Sequence, residues 1–168
     1  MIIYDNQFNE NEWFIIIVSV VMYTLIFLLP KKFSLGTSIT LLLLGFYIGL
    51  LSDHSISIPP FDFYDVNDNS KYEVFDILTY VMYGPFGYFL IYFYEHFKIR
   101  GYKTIFYIIV WTFFAIILEY VGTKFGIFHY KQGYRLAFSV PIYVGLQSLT
   151  IFYYVILKNK ANQTNQKE

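Results

Sequence analysis

Five long apolar segments, separated by short polar stretches, dominate the pattern along the chain. They cover residues 13–30, 33–52, 77–94, 104–122 and 136–157. A helix that crosses the hydrocarbon core of a bilayer needs about 20 mostly apolar residues, and each segment comes close to that length. The segments lack the alternating polarity of barrel strands, so helices are expected to pair their backbone groups. The pattern predicts an all-α fold, a polytopic membrane helical bundle of five transmembrane helices in one domain, 1–168.

The amino-acid composition strengthens this prediction. The chain is 57% hydrophobic, 23% aromatic and 14% charged, whereas about a quarter of an ordinary soluble domain is charged. A net charge of zero argues against nucleic acid as a partner, because nucleic-acid binding requires a basic surface. The absence of cysteine excludes disulfides and thiolate metal sites. Abundant Ile, Phe, Tyr, Lys and Asn suggest a low-GC bacterium, so we expect the bacterial cytoplasmic membrane.

Lysine and arginine are distributed unequally between the two sides of the predicted bundle. Eight of the 12 follow the first, third and fifth segments, and the other four lie on the opposite side. Cytoplasmic connections carry the excess of basic residues in membrane proteins. The bias predicts that the N-terminus and a loop at 53–76 lie outside the cell, with a C-terminal tail at 158–168 in the cytoplasm.

Small residues in the second and third segments indicate close helix packing. Gly45 and Gly49 form a Gly-x-x-x-Gly pattern, which lets two helices approach closely in lipid. This face is also a candidate contact with another membrane protein or a second copy of the chain. The third segment carries Gly-Pro-Phe-Gly at 84–87, where proline frees a carbonyl and kinks the helix. We interpret both motifs as tight packing, with a hinge or substrate notch as the alternative.

The predicted outer loop has a spacing similar to that of a calcium-binding loop. The first, third, fifth, ninth and twelfth positions of an EF-hand-like pattern fall on Asp65, Asn67, Asn69, Glu73 and Asp76. The sixth position is Ser70, where the sharp turn of such a loop needs glycine. Ser70 and Glu73 also fit a capping box that starts the third helix. We therefore predict a helix cap here and no metal site.

Glu119 ends an uncharged run that begins at Thr104. That run covers only about 22 Å at ~1.5 Å per residue, less than the ~30 Å hydrocarbon layer, so the helix should continue through Glu119 to about Gly122. A stripe of small and polar residues shares its helical face and should point into the bundle: Thr112, Ala115, Glu119, Gly122 and Gly126. A partly buried carboxylate is expected to find a cation or amide partner. The candidate partners are Lys124, His129, Lys131, Arg135 and Gln147.

Polar residues on the outer side supply the candidate functional site. We take this site to be a cluster formed by Asp76, Glu119, His129, Arg135 and Gln147. Each has a plainer role as well, since Asp76 lies at a helix N-terminus and Gln147 suits an interhelical hydrogen bond. No histidine pair has metal-ligand spacing, and no nucleophile elbow, phosphate loop or dinucleotide fingerprint occurs. We predict no cofactor and no metal, and we assign no catalytic residue.

The last three segments resemble those of a known group of proteins. The stretches "FDILTYVMYGPFGYF" and "EYVGTKFGIFHYKQGYRLAFSVPIYVGLQ" are similar to small, largely uncharacterised multi-span membrane proteins of Bacillus-type bacteria. The shorter element from Glu119 to Tyr130 is also similar to an acid…Gly-x-aromatic-x-aromatic turn of carotenoid-cyclase-type membrane proteins. The first resemblance implies membrane residence and adds no site residue.

Three functions are compatible with this sequence. The first is a non-enzymatic accessory, regulatory or assembly component of the membrane, because no complete catalytic constellation occurs. The alternative is a lipid-active enzyme whose outer-leaflet pocket uses Glu119, His129 and Asp76 as acid, base or ligand. The third is a small transporter or channel, for which five spans offer little internal symmetry.

Overall fold

The computed structural model describes residues 2–165 and consists of five long helices with two short strands. The helices are α1 Glu10–Leu28, α2 Leu35–Ile56, α3 Val74–His96, α4 Lys103–Lys124 and α5 Ser139–Asn165. Strand β1 is Tyr64–Val66, strand β2 is Phe128–Tyr130, and a 3₁₀ turn, Leu136–Phe138, precedes α5. Each predicted segment corresponds to one helix, so the mostly helical architecture is confirmed. All five helices are long and apolar enough to cross a membrane.

The helix ends differ from the predicted boundaries by a few residues. Helix α1 begins at Glu10 because Asn9 and Glu12 form a capping box, in which the Asn9 N–H donates to Glu12 Oε2 at 2.7 Å. The predicted fifth segment begins with the 3₁₀ turn, and α5 itself starts at Ser139. Helix α5 continues through 158–165, so this part of the predicted tail is helical. Positions 166–168, with Lys167, lie outside the described residues.

Helix α3 lies at the centre of the bundle. In its most apolar window 56% of the residues are buried, against 11–22% in the other four helices. It packs on α1, α2 and α5, while α4 packs on α5 and reaches α3 through ring contacts such as Tyr94 with Tyr107. At one end of α3, Glu95 accepts from Arg100 at 2.8 Å and from Lys158 at 2.9 Å. The remaining helices therefore surround α3 and present apolar side chains outward.

Four glycines bring α2 and α3 into close contact. A Cβ atom added to Gly45 would lie 2.7 Å from the carbonyl oxygens of Tyr83 and Gly84, and one added to Gly87 would lie 2.9 Å from the Gly45 Cα. Gly49 faces the Tyr83 ring. We call Gly45, Gly49, Gly84 and Gly87 the glycine seam. The prediction of tight packing is confirmed, and the Gly45 and Gly49 face is occupied by α3 of the same chain.

Pro85 removes one backbone hydrogen bond inside α3, and α1 replaces it. Proline has no N–H, so the carbonyl four residues earlier, that of Val81, loses its helical donor. The Tyr23 hydroxyl of α1 donates to this carbonyl at 3.1 Å. A buried carbonyl without a partner would be costly. The Tyr23 hydroxyl therefore stabilises α3 at the break caused by Pro85 and links α1 to α3.

One end of the bundle is covered by the loops. Strands β1 and β2 pair in antiparallel register, with Tyr64 opposite Tyr130 and Val66 opposite Phe128. The N-terminal segment adds to this layer, since the Tyr4 N–H donates to the Asp68 carbonyl at 2.8 Å. We call residues 2–5, 62–70 and 127–134 the roof. The all-helical prediction did not include these strands.

The start of α3 corrects the predicted capping box. The N-cap is Glu73, and its N–H donates to Asp76 Oδ2 at 2.7 Å, so the box runs from Glu73 to Asp76. Ser70 instead accepts from the Ile2 N–H at 2.7 Å. The predicted box at Ser70 and Glu73 was wrong because the N-terminal segment occupies the Ser70 hydroxyl. Helix α3 therefore begins three residues later than that prediction implied.

Candidate functional site

A cavity of about 240 Å³ lies beneath the roof and between α3 and α4. All five helices contribute to its wall, and the roof closes it with Tyr64, Val66, Ile127 and Phe128. Most of the lining is apolar or aromatic. Polar side chains are few, as in most small-molecule sites, where they orient the ligand. This cavity is the candidate functional site.

Small side chains on α4 leave room for the cavity. Thr112, Glu119 and Gly122 are buried on the inward face of α4, and Ala115 lines the cavity beside them. The prediction that this stripe points into the bundle is confirmed for these four residues, whereas Gly126 lies beyond the end of α4 in the turn before β2. Across the gap stand larger side chains of α3, such as Phe86. The short α4 side chains do not reach these residues, so a space remains between the two helices.

Glu119 is a buried acidic side chain in the cavity wall. The residue is 7% exposed, and its Oε1 atom accepts from the Tyr130 hydroxyl at 2.6 Å and from the Ser139 hydroxyl at 2.7 Å. Ser139 is also hydrogen-bonded to the Tyr134 hydroxyl at 2.9 Å. Glu119 Oε2 is buried and has no hydrogen-bond partner among residues 2–165. One carboxylate oxygen is thus held by two hydroxyls. The other makes no hydrogen bond within this part of the chain, and the Tyr143 side chain interacts electrostatically with the carboxylate.

The predicted partners of Glu119 were wrong. Side chains alternate along a strand, so Phe128 and Tyr130 of β2 face the cavity and α4, while His129 faces away. His129 stacks on the Tyr4 ring with centroids 3.7 Å apart, and burial lowers its pKa below the ordinary value. The hydroxyls of Tyr130 and Ser139 therefore take the place that the sequence assigned to a cation or amide.

The other basic candidates are used elsewhere in the roof or near its edge. Lys131 pairs with Asp62 at 2.5 Å and with Asp65 at 2.8 Å. Arg135 is exposed at the N-cap of the 3₁₀ turn. Lys124 is exposed, with its Nζ 5.2 Å from the centre of the Tyr120 ring. None of these cations lines the cavity within the described part of the chain.

Gln147 and Asp76, two further members of the predicted cluster, occupy different sites. Gln147 lines the cavity, and its Oε1 accepts from the Thr112 hydroxyl at 3.1 Å, which confirms the predicted interhelical hydrogen bond. Asp76 is buried outside the cavity, where it accepts from Asn67 Nδ2 at 2.8 Å. It lines a second, polar pocket of about 100 Å³ together with Asp53 and Asp65. The cluster is thereby divided, and Glu119 and Gln147 share the cavity.

The predicted cluster did not include Asp53, which lines the cavity. Asp53 lies near the end of α2, accepts from the Tyr80 and Ser57 hydroxyls, and lines both the cavity and the polar pocket. Its position directly after an apolar run was a signal, the same one that identified Glu119. Tyr130 and Ser139 gave no such signal, because hydroxyls are common throughout the chain.

Metal binding finds no support in the described residues. Within 2–165, no group of three or more His, Asp or Glu side chains has an arrangement that could hold a metal ion. The residues of the calcium-like spacing are divided as well, since Asp65 pairs with Lys131 and Glu73 caps α3.

Comparison with protein-family models, with curated proteins and with solved structures gave no match. The resemblances to Bacillus-type membrane proteins and to carotenoid-cyclase-type proteins stay predictions. The geometry of the cavity therefore carries the functional argument.

Proposed function

We propose that the protein is a multi-pass integral membrane protein that binds a small, largely apolar molecule inside its helical bundle. The observation that carries this proposal is a cavity of about 240 Å³ whose apolar wall contains a buried carboxylate with one unpartnered oxygen, Glu119 Oε2. This role corresponds to the first expectation, a non-enzymatic component of the membrane. In this proposal, binding the molecule is the activity of the protein.

The perimeter of the bundle supports membrane residence. On α4, as on other helices, large apolar side chains are more than half exposed. Those of α4 include Ile105, Phe106, Ile109, Val110 and Phe113. Apolar surface of this extent is rare on soluble monomers and is normal in lipid. The excess of Lys and Arg after α1, α3 and α5 supports the bacterial cytoplasmic membrane with the roof outside and the C-terminus inside.

The size and lining of the cavity restrict its occupant. A volume of 240 Å³ lies just below the ~300–1,000 Å³ of typical ligand sites, so the occupant is small. Wholly apolar cavities stay dry, whereas a water needs two to four polar partners. The wall offers such partners at few points, so an apolar body with one polar group fits better than a cluster of waters.

Lipid chemistry, the alternative function, is less well supported by the geometry. That function needs an acid and a base close to the same substrate. His129 stacks on Tyr4 on the far side of β2, and Asp76 lies in the polar pocket. Glu119 therefore has no histidine beside it among the described lining residues.

The chain carries its own reporter for a binding experiment. It has two tryptophans, of which Trp111 lines the cavity and Trp13 is exposed near the start of α1. A Trp13→Phe background leaves Trp111 as the only tryptophan. We expect bromobenzene, a small heavy-atom quencher, to quench Trp111 fluorescence with saturation in the full chain in lipid nanodiscs.

Two leucine substitutions separate cavity binding from contact through lipid. Ala115→Leu places three more carbons in the cavity and should abolish the saturable quenching, while Ala137→Leu, at an exposed position, should leave it unchanged. Quenching that rises linearly with bromobenzene in all three proteins would contradict the proposal, because it would reflect collisions from the lipid.

A further inference from the structure

The charged side chains of the cavity wall all have the same sign. Asp53 and Glu119 line it, and no lysine, arginine or histidine lines it among residues 2–165. Asp53 is engaged by the Tyr80 and Ser57 hydroxyls. Two hydroxyls donate to Glu119 Oε1, which leaves the other oxygen of this carboxyl group without a hydrogen bond among residues 2–165. The wall is thus complementary to positive charge.

Among residues 2–165, no lysine, arginine or histidine of the cavity wall pairs with the free carboxylate oxygen. Glu119 Oε2 is buried and makes no hydrogen bond to the described residues, and Lys131, the lysine of the roof, is held by Asp62 and Asp65. An unpaired charged acceptor away from water is costly. A ligand that brought a positive charge to Glu119 Oε2 would remove this cost.

Aromatic rings form much of the remaining wall. They come from α3, α4, α5 and the roof, and include Tyr83, Phe86, Trp111, Phe114, Phe128 and Tyr143. The faces of such rings attract ammonium groups, and rings grouped around a site are the common way to bind a quaternary ammonium. The same rings can pack closely against an apolar group. They therefore suit both the ammonium group and the apolar part of a cationic amphiphile.

The polar pocket lies beside the cavity and carries acidic side chains. Asp53 and Val66 line both spaces, and the pocket adds the carboxylates of Asp65 and Asp76. Lys71 and His54 also line this pocket, and Asp65 is paired with Lys131. A cleft with an excess of one charge raises the local concentration of the opposite charge, so cations are favoured beside the cavity as well as inside it.

We propose that the cavity selects a small organic cation, an ammonium group on an aromatic or alkyl body, with Glu119 as its counter-ion. This inference rests on the proposed function and names the chemical class of the ligand. The body packs on the aromatic wall, and the nitrogen lies against Glu119 Oε2.

The test compares two competitors of the same shape and different charge. Benzyltrimethylammonium and neopentylbenzene differ in one central atom, nitrogen or carbon, and both should relieve the quenching of Trp111 by bromobenzene. The two competitors partition differently into lipid. The ratio of the concentrations at which they relieve half of the quenching can still be compared between variants, because partitioning is the same for every variant and cancels. We expect Glu119→Gln to weaken the cation relative to its neutral analogue roughly 30-fold, because a desolvated charge pair is lost.

Control variants distinguish charge from folding. Glu10→Gln makes the same change at an exposed glutamate and should leave the ratio unchanged. Asp53→Asn should lower the preference for the cation by a smaller factor, because two hydroxyls already engage this carboxylate; it carries the test if Glu119→Gln fails to give a monodisperse, helical protein.

Each outcome has a defined meaning. A ratio that changes in Glu119→Gln but not in Glu10→Gln supports the inference. Competition by both compounds with the same ratio in every protein overturns the inference and leaves the proposed function intact. Absence of saturable quenching by bromobenzene overturns the proposed function itself.

Discussion

The two sides of α3 meet their neighbours in different ways. Toward α2, Gly45 and Gly87 let the backbones approach so closely that an added Cβ would lie within 3.0 Å of the other helix. Toward α4, large α3 side chains such as Phe86 face the small Ala115 across a cavity of about 240 Å³. Both sides combine small residues with an apolar surface, yet one is closed and the other is open.

The difference teaches that the position of small residues matters more than their number. In the glycine seam, small residues of both helices face each other, so the backbones themselves are in contact. At the cavity, the small α4 residues Ala115 and Gly122 face aromatic side chains of α3. Larger α4 side chains such as Trp111, and the seam glycines Gly45, Gly49 and Gly87, line the same space. Rings that differ in size and direction do not fill such a gap completely, and the space left over can hold a ligand.

Adding one methyl group to the seam should have the largest effect on stability. Gly45→Ala forces a Cβ against the carbonyl oxygens of Tyr83 and Gly84, each 2.7 Å away, so α2 and α3 must separate. We expect the free energy of unfolding to fall by about 3 kcal/mol, measured by circular dichroism during denaturation in detergent. Gly145→Ala on α5, where nothing lies within 4 Å, should instead gain up to ~1 kcal/mol from helix propensity.

A larger substitution at the cavity should have little effect on the free energy of unfolding. Ala115→Leu adds three carbons where the wall faces empty space, so it should change the free energy of unfolding by less than ~1 kcal/mol. A loss as large as that of Gly45→Ala would mean that the gap is as tightly closed as the seam, and the comparison would fail.

Removing the Tyr23 hydroxyl should have an intermediate effect. Tyr23→Phe leaves the Val81 carbonyl without its donor and should cost about 1–2 kcal/mol. In a Pro85→Ala background the restored N–H can bond to Val81, so the same Tyr23→Phe change should cost less. A double-mutant cycle on the two positions measures this coupling, and fully additive losses would contradict the role given to Tyr23.

The smallest effect concerns the roof, which covers the cavity and not the seam. Burial, opposed by the Asn11 hydrogen bond and reinforced by Glu12, raises the pKa of Asp68 from 3.8 to about 6. A raised folded-state pKa contributes stability that is present below about pH 4 and lost as the pH rises through about 6. Because Asp68 is partly exposed, we expect at most ~1 kcal/mol.

Hydrogen exchange can locate this pH effect. The Tyr4 N–H donates to the Asp68 carbonyl, so its protection, corrected for intrinsic exchange, should fall between about pH 4 and pH 7. The amides of α2 and α3 around the seam should keep their protection over this range. Asp68→Asn should remove the pH dependence at Tyr4; if the dependence persists, another group is responsible.

Local chemistry made some features predictable from the sequence. Helix lengths follow from apolar runs, the seam from the spacing of Gly45 and Gly49, and the inward direction of Glu119 from its stripe of small residues. The roof was not predictable, because β1 and β2 have three residues each and pair across 62 to 66 positions, from Val66↔Phe128 to Tyr64↔Tyr130. That pairing turns Tyr130 toward Glu119 and His129 away, so the partners of Glu119 depended on a contact that no local pattern encodes.

The central position of α3 has a consequence for biosynthesis. Its mean hydropathy of 1.4 is the lowest of the five helices, and the highest, in α4, is 2.0. If a translocon releases helices one at a time into lipid, α3 has the weakest hydrophobic drive to enter. Its tyrosines and the break at Pro85 would then lack the contacts that the neighbouring helices provide. Insertion of α3 should therefore depend on α1 and α2, which precede it from the ribosome and supply Tyr23 and the glycine surface. Under the proposed membrane residence, the order of the helices along the chain would also set an order of assembly.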